Sequence, residues 1–279
     1  MTRIVGDAEQ FQTAFRYQLR SYRRTWRFLG LLGFVAVISA AILGVQLHRG
    51  VATVTANNPT SSDYLATYLS VLADAVIITG AFLGGDALAV DLSGGPGYLM
   101  LAQPVRRGAL LGGRFAAAAV TGTAVGLVYY AFAAVAAQYF YGNVPSALLL
   151  SIGAALLFLL AVLAVAFFFS SFFRNPTVSI IASVLILILG FPIATSIGDL
   201  SGVEPWFSLD YGAQAITTVL STNFQHETVM HVGVGRRGGS IAVYTFAPYP
   251  WEGAVIMAVY LAAFLVLSYV IYRFKEVRG

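Results

Sequence analysis

The chain alternates between six long apolar runs and shorter polar segments. A helix needs roughly 20 consecutive apolar residues to cross about 30 Å of hydrocarbon, and each run is about that long. The pattern predicts an all-α membrane protein with a transmembrane domain over residues 28–272 and a tail at 273–279. The six predicted spans are residues 28–47, 65–85, 115–139, 147–173, 178–197 and 253–272.

Composition supports a chain built for lipid. Hydrophobic residues make up 58% of the sequence and charged residues 10%, and the mean hydropathy is +0.80. Soluble domains carry about 25% charged residues. The chain has no cysteine, which excludes disulfides, thiol catalysis and cysteine-ligated zinc.

The basic residues predict the orientation of the spans. Only Arg49, Arg236 and Arg237, of 16 Lys and Arg residues, fall between spans on the side opposite the termini. Basic residues concentrate on the cytoplasmic side of a membrane, so both termini are predicted to be cytoplasmic. The net charge of +4 reflects this bias and contact with anionic lipid headgroups. It therefore gives no argument for nucleic acid.

The cytoplasmic N-terminal segment, residues 1–27, predicts an amphipathic helix over 8–27. Aromatic and leucine side chains recur at helical spacing, and arginines cover much of the remaining surface. Such a helix lies in the plane of the headgroups. It is either only an anchor for the first span or also a lever between the membrane and a cytoplasmic partner. The apolar stripe is Phe11, Phe15, Leu19, Tyr22 and Trp26.

The outer segment 201–252, before the last span, is long for a simple connection. Residues 206–220 could form an interfacial helix, and residues 228–234 and 240–246 could pair as a hairpin. His226, Glu227 and His231 raise the question of a metal site. Their spacing does not match helical zinc ligands, so we predict ordinary solvated side chains and no metal.

Three polar or breaking features lie inside the predicted spans. Asp74 should face the bundle interior or water, as either a translocation-path residue or a structural one, because a charge exposed to lipid is costly. Gly80/Gly84 and Gly122/Gly126 are G-x-x-x-G pairs, which pack helices closely and could form a homodimer seam. Pro192 is expected to kink or end the fifth span.

Two cytoplasmic loops carry the most informative motifs. Residues 93–97 form a Ser-Gly-Gly-Pro-Gly breaker cluster, and a short apolar segment follows at 98–102. A short helix bounded by turns and charges suits docking into a soluble partner, although an ordinary interfacial loop has the same pattern. The second loop, between spans four and five, reads Ser-Ser-Phe-Phe-Arg-Asn-Pro-Thr over residues 170–177.

Both loops resemble those of ABC-2-type permeases, the membrane subunits of ATP-binding-cassette exporters. That family shows an acidic residue, a glycine turn, a leucine-rich segment, a proline, a basic residue and a final glycine-base pair in the first loop. An S-x-x-F-R-N-P turn stands in the second. The six-span layout is also similar, but Asp91-Leu92-Ser93-Gly94 departs from the family's usual Glu, base and Gly-Thr. The matching residues in the first loop are Asp91, Gly97, Leu99–Leu101, Pro104, Arg106, Arg107, Gly113 and Arg114.

The resemblance implies a transport subunit that is not itself an enzyme. The sequence contains no phosphate-binding loop of the G-x-x-x-x-G-K-[ST] type. The chain is therefore expected to bind no cofactor, with ATP held by a separate nucleotide-binding subunit. The resemblance also implies export, a second copy of the chain or a related permease, and a prokaryotic plasma membrane. The residues expected to couple to the ATPase are Asp91, Gly97, Gln103, Pro104, Arg106, Arg107, Arg174, Asn175 and Pro176.

Three other functions fit the sequence less well. A stand-alone secondary transporter or channel usually shows several intramembrane charges or paired broken helices, and only Asp74 lies clearly within a predicted span. An intramembrane enzyme needs converging polar groups, whereas all three histidines lie outside the predicted spans. A membrane assembly factor remains an alternative.

Overall fold

The apolar runs fold into helices because a bilayer offers backbone groups no water to bond. A computed structural model describes residues 6–92, 106–222, 224–234 and 239–274. The helices in this part of the chain are α1 (Asp7–Arg24), α2 (Arg27–Arg49), α3 (Val51–Asn57), α4 (Ser61–Leu69), α5 (Leu72–Gly84), α6 (Ala89–Leu92), α7 (Arg107–Tyr141), α8 (Ala147–Phe172), α9 (Pro176–Leu185), α10 (Phe191–Ser201), α11 (Leu209–Ala213), α12 (Ala215–Thr218) and α13 (Pro250–Phe274). Strands β1 (Glu227–Val234) and β2 (Gly239–Phe246) pair antiparallel.

Among the residues that the structure describes, six helical segments are long and apolar enough to cross a membrane, so the predicted all-α multi-span fold is confirmed. Spans 2 and 4 form the centre of the bundle. In their most apolar windows 56% of residues are buried, against 17% in spans 1 and 5 and 11% in span 6. The outer spans therefore present apolar faces to lipid or to another subunit. The spans are span 1 (Arg27–Arg49), span 2 (Ser61–Asp91), span 3 (Arg107–Tyr141), span 4 (Ala147–Phe172), span 5 (Pro176–Ser201) and span 6 (Pro250–Phe274).

The start of α1 and the end of span 6 lie at the same end of the bundle, here called the terminal end. Arg106, just before span 3, pairs with Asp7 at the start of α1. Arg107 donates hydrogen bonds to the carbonyls of Tyr272 and Arg273 at the end of span 6, at 2.7 and 2.8 Å. This arrangement is the one that an even number of spans requires.

The opposite end, here called the distal end, holds the segment between spans 5 and 6. The chain folds back after span 5. Ser208 in the returning segment reaches span 5, where its Oγ donates to the carbonyl of Phe191 at 3.2 Å. Helices α11 and α12 replace the single interfacial helix expected over 206–220. The predicted hairpin is confirmed, with Glu227 opposite Phe246 in the register.

Helix α1 ends earlier than predicted. Its last residue is Arg24, and Trp26 adopts the left-handed conformation (φ 57°) in the turn before span 1. This turn takes Trp26 out of the apolar stripe and leaves it 74% exposed. Helix α1 instead packs on span 3, where a Cβ on Gly113 would lie 2.6 Å from the carbonyl oxygen of Phe11.

The homodimer interpretation of the glycine pairs is wrong for three of the four glycines, which pack against span 4 of the same chain. A Cβ on Gly80 would lie 2.5 Å from Val162 Cγ1, and one on Gly84 would lie 3.0 Å from Ala166 Cβ. A Cβ on Gly122 would lie 3.0 Å from the Leu159 methyl groups. Small residues let these helices approach closely.

Pro192 does not end span 5. Helix α10 continues through it, and the five residues before α10, Ile186–Gly190, form a π-helical turn. A proline inside a helix lacks an N–H donor and its ring crowds the carbonyl four residues earlier. The wider π turn directly before Pro192 is the local distortion that accompanies the proline.

Candidate functional site

Asp91 and Arg114 form a buried ion pair at the terminal end. Their closest atoms, Arg114 Nη1 and Asp91 Oδ2, are 2.6 Å apart, and Arg114 Nη2 donates to Asp91 Oδ1 at 3.0 Å. Arg114 also donates to the carbonyl of Ala87, and Tyr272 Oη lies 3.5 Å from Asp91 Oδ2. The pair therefore joins spans 2, 3 and 6.

Arg114 lies inside span 3, not in the preceding loop as expected from the sequence. Its side chain and that of Asp91 are only 5% and 7% exposed. A buried carboxylate requires a partner of opposite charge with good hydrogen bonds, and the guanidinium supplies two parallel ones. Asp91 consequently lies beneath the surface of the terminal end, with its carboxylate held by Arg114.

Ser170 links the end of span 4 to a break in span 2. Residues 85–88 form turns between α5 and α6, so the backbone N–H groups that follow need acceptors from outside the helix. Ser170 Oγ accepts hydrogen bonds from the backbone nitrogens of Leu88 at 2.8 Å and Ala89 at 3.0 Å. The serine is fully buried, so spans 2 and 4 are held together at this point.

The turn Arg174-Asn175-Pro176 starts span 5. Asn175 Oδ1 accepts from the backbone nitrogens of Thr177 at 2.9 Å and Val178 at 3.5 Å, as an N-cap does. Pro176 occupies the first helical turn, where its missing N–H costs nothing. Arg174 and Asn175 are exposed. The turn thus places a cation on the surface directly between spans 4 and 5.

Arg106 and Arg107 connect the start of span 3 to both ends of the chain. The Arg106 side chain is 75% exposed and pairs with Asp7, while its backbone N–H donates to Gln10 Oε1 at 2.9 Å. The Arg107 guanidinium lies over the Tyr272 ring and binds the last carbonyls of span 6, where a helix favours positive charge. An open cleft of about 870 Å³ lies here, lined among the described residues by α1, the start of span 3 and the end of span 6.

The predicted coupling residues Gly97, Gln103 and Pro104 lie outside the described residues. Of the others, Arg106, Arg107, Arg174, Asn175 and Pro176 lie at the terminal end, and Asp91 lies just beneath it. Their roles in coupling stay predictions.

Asp74 is exposed on the side of the bundle rather than turned into its interior. It lies in the first turn of α5, after the break at residues 70–71 in span 2. The pKa of Asp210, in α11, is raised by burial first and further by the negative charges of Asp74 and Asp199. Asp74 and the folded-back segment therefore belong to one acidic region.

Of the residues considered for a metal site, His226 is half-buried at the distal end, with Nε2 3.7 Å from Glu204 Oε2. Glu227 is exposed, and the side chain of His231 lies outside the described residues.

Sequence reasoning missed the structural roles of Arg114, Ser170 and Tyr22. Arg114 could have been found, because it is an isolated charge inside an apolar run. Tyr22 was predicted only as part of the apolar stripe of α1, yet its buried hydroxyl donates to the carbonyl of Leu83 at 2.6 Å and ties α1 to span 2. Nothing in the spacing of Ser170 reveals its backbone partners.

Comparison with known proteins agrees with this architecture. No curated protein matches the chain significantly. A family model described as "ABC-2 family transporter protein" matches residues 15–277, which is nearly the whole chain. The chain belongs to the ABC-2 transporter family and is a multi-pass membrane component of an ABC transporter.

Proposed function

We propose that this chain is the permease subunit of an ATP-driven exporter in a prokaryotic-type plasma membrane. Two copies, or one copy and a related permease, form the translocation path, and separate nucleotide-binding subunits hydrolyse ATP. The terminal end is the cytoplasmic end, where those subunits bind.

The observation that carries this proposal is the rigid connection between the Arg174 turn and the spans. The exposed Arg174 directly precedes the N-cap of span 5. Ser170, in the last turn of span 4, is bonded to the backbone of span 2. A subunit that moves the turn would therefore move spans 2, 4 and 5 together, which is rigid-body coupling across an interface.

The start of span 3 provides a second point of contact. Arg106 is exposed, and its neighbour Arg107 is bonded to the end of span 6. Force applied at this point would reach spans 3 and 6 and helix α1. A partner subunit that contacts both exposed arginines, Arg106 and Arg174, would therefore move most of the bundle.

The exposure of Asp74 supports a translocation path that lies between this chain and another subunit. A carboxylate on the surface of a membrane-spanning helix costs about 2.5–3.5 kcal/mol against lipid by insertion scales. This cost disappears if the surface faces water between two subunits. We therefore assign Asp74 to the lining of the path.

Co-purification tests the need for a separate ATPase. The tagged chain, extracted from its native membrane, is expected to bring down a nucleotide-binding polypeptide and ATPase activity. Recovery of the intact chain without any ATP-binding protein, under extraction mild enough to keep other membrane complexes together, would contradict the proposal.

Cysteine accessibility tests the role of Asp74. The natural chain has no cysteine, so Asp74→Cys introduces a single thiol. In the assembled complex it should react with a membrane-impermeant thiol reagent. Val37→Cys in span 1, where Val37 is 69% exposed, is the matched control and should stay unlabelled in lipid. If both cysteines are equally protected from the reagent, Asp74 does not line the path.

A further inference from the structure

Three segments that are far apart in sequence meet at the distal end of the bundle. Glu204 follows span 5, His226 precedes β1, and Glu252 lies in the first turn of span 6. One potential ligand atom from each lies within 4.8 Å of the other two, and all three residues are half-buried. We call this group the Glu-His-Glu cluster.

The imidazole of the cluster is oriented by a backbone carbonyl. His226 Nδ1 lies 2.9 Å from the carbonyl oxygen of Ala247. A carbonyl can only accept, so Nδ1 carries the proton, and in the neutral ring Nε2 presents a lone pair. The Tyr249 ring stacks on the imidazole with centroids 4.8 Å apart and planes 18° apart, which fixes the ring plane.

The two carboxylates are oriented in the same way. Tyr211 Oη donates to Glu204 Oε1 at 2.6 Å, and it is Oε2 that faces His226. The backbone nitrogen of Tyr249 donates to Glu252 Oε2 at 2.9 Å, so Oε1 remains available as a ligand. Groups outside the cluster thus orient every member, which is the outer shell that protein metal ligands usually have.

Direct bonding within the cluster does not explain its geometry. His226 Nε2 and Glu204 Oε2 are 3.7 Å apart, which is too long for a hydrogen bond. While Nε2 carries no proton, its lone pair beside two carboxylates is electrostatically unfavourable unless a cation lies between them. Bonds of about 2.0–2.2 Å to a tetrahedral ion place ligand atoms about 3.4 Å apart. The ligand atoms lie at most 4.8 Å apart, so any pair would need to close by about 1.4 Å at most.

We propose that the Glu-His-Glu cluster binds a divalent transition cation of the Zn²⁺ class, with three protein ligands and a water. The imidazole nitrogen selects against Mg²⁺ and Ca²⁺, which prefer oxygen ligands. The ion would tie the end of span 5 and the base of the hairpin to the start of span 6. This site does not depend on the transport function, and it replaces the sequence prediction of no metal.

The test is a Zn²⁺ titration of the full chain in detergent micelles, purified with a tag that contains no histidine. We expect one saturable Zn²⁺ per chain by calorimetry and a higher Tm with Zn²⁺. His226→Gln and Glu252→Gln should each remove saturable binding. Tyr211→Phe keeps all three ligands and should weaken binding about tenfold through the lost outer-shell bond.

Glu227→Gln is the matched control, because Glu227 is exposed and adjacent to His226 but outside the cluster. It should bind Zn²⁺ like the natural chain. Circular dichroism and gel filtration establish that each variant is folded, and Tyr211→Phe carries the test if a ligand variant is not. The proposal is overturned if the natural chain shows no saturable Zn²⁺, if Ca²⁺ binds as tightly, or if folded His226→Gln or Tyr211→Phe binds unchanged.

Discussion

The terminal end of the bundle is joined mainly by arginines, and spans 1 to 4 are joined farther from that end by tyrosine hydroxyls. Arg27 pairs with Asp86, Arg114 pairs with Asp91, and Arg107 binds the last carbonyls of span 6. At the distal end and toward the middle of the bundle, neutral hydroxyls bond to carbonyls or to other hydroxyls. Among these bonds are Tyr68 to the Ser39 carbonyl at 2.8 Å, Tyr129 to the Tyr68 carbonyl at 2.9 Å, Tyr130 to Ser151 Oγ at 2.9 Å and Tyr141 to the Asn58 carbonyl at 2.6 Å.

This difference has a mechanical consequence. Removing one partner of a buried ion pair leaves an uncompensated charge, whereas a neutral hydrogen bond contributes only about 0.5–1.5 kcal/mol net. The terminal end is therefore expected to move as one block, and spans 1 to 4 beyond that end, which the Glu-His-Glu cluster does not join, are expected to rearrange more easily. Under the proposed function, the stiff end would face the ATPase subunits and the more adaptable spans would allow alternating access.

The largest effect should come from Arg114→Met. The change leaves Asp91 buried without a partner, and breaking such a pair costs about 3–5 kcal/mol. The folded fraction in detergent should fall sharply, measured by thermal unfolding. Arg114→Met with Asp91→Leu removes both charges and should recover most of the loss. A single variant as stable as the natural chain would show that the pair does not hold the terminal end.

A smaller effect is expected from Tyr129→Phe at the distal end. The phenyl ring keeps the packing and only the hydroxyl bond to the Tyr68 carbonyl is lost. Stability should fall by about 0.5–1.5 kcal/mol, measured in the same thermal assay as Arg114→Met. A loss as large as that of Arg114→Met would remove the contrast between the two ends.

The smallest effect on stability should come from Arg106→Gln. The Arg106–Asp7 pair is exposed, with side chains 75% and 55% accessible, and exposed pairs contribute about 0–1 kcal/mol. Unfolding at low and high salt measures the difference. Because screening weakens surface pairs, the natural chain and the variant should converge at high salt. A large difference that salt does not change would mean that Arg106 acts structurally.

Much of the fold follows from the sequence, because lipid requires long apolar helices and the apolar runs are long. The hairpin was also predictable from two extended runs around a glycine-rich turn. The end of α1 was not predictable, because no residue spacing marks the left-handed turn at Trp26. At Pro192 the sequence indicated a distortion, but not a π turn through which the helix continues.

The candidate site was only partly predictable. The Arg-Asn-Pro turn carries its own N-cap and proline, so its position as a helix start could be read locally. The partners of Asp91 and Ser170 come from other spans, and no local sequence pattern identifies them. The Glu-His-Glu cluster was missed because α11 and α12 separate Glu204 from His226 in sequence, and the hairpin separates His226 from Glu252.

The most direct test of the account is charge reversal at Arg174, compared with the same change at Arg49. Both arginines are exposed, but Arg174 lies at the terminal end and Arg49 ends span 1 at the distal end. The readouts are the amount of nucleotide-binding subunit retained and the ATPase rate of the purified complex. We predict that Arg174→Glu loses the subunit or lowers the rate severalfold while Arg49→Glu behaves like the natural chain. Equal results for the two variants would contradict the account.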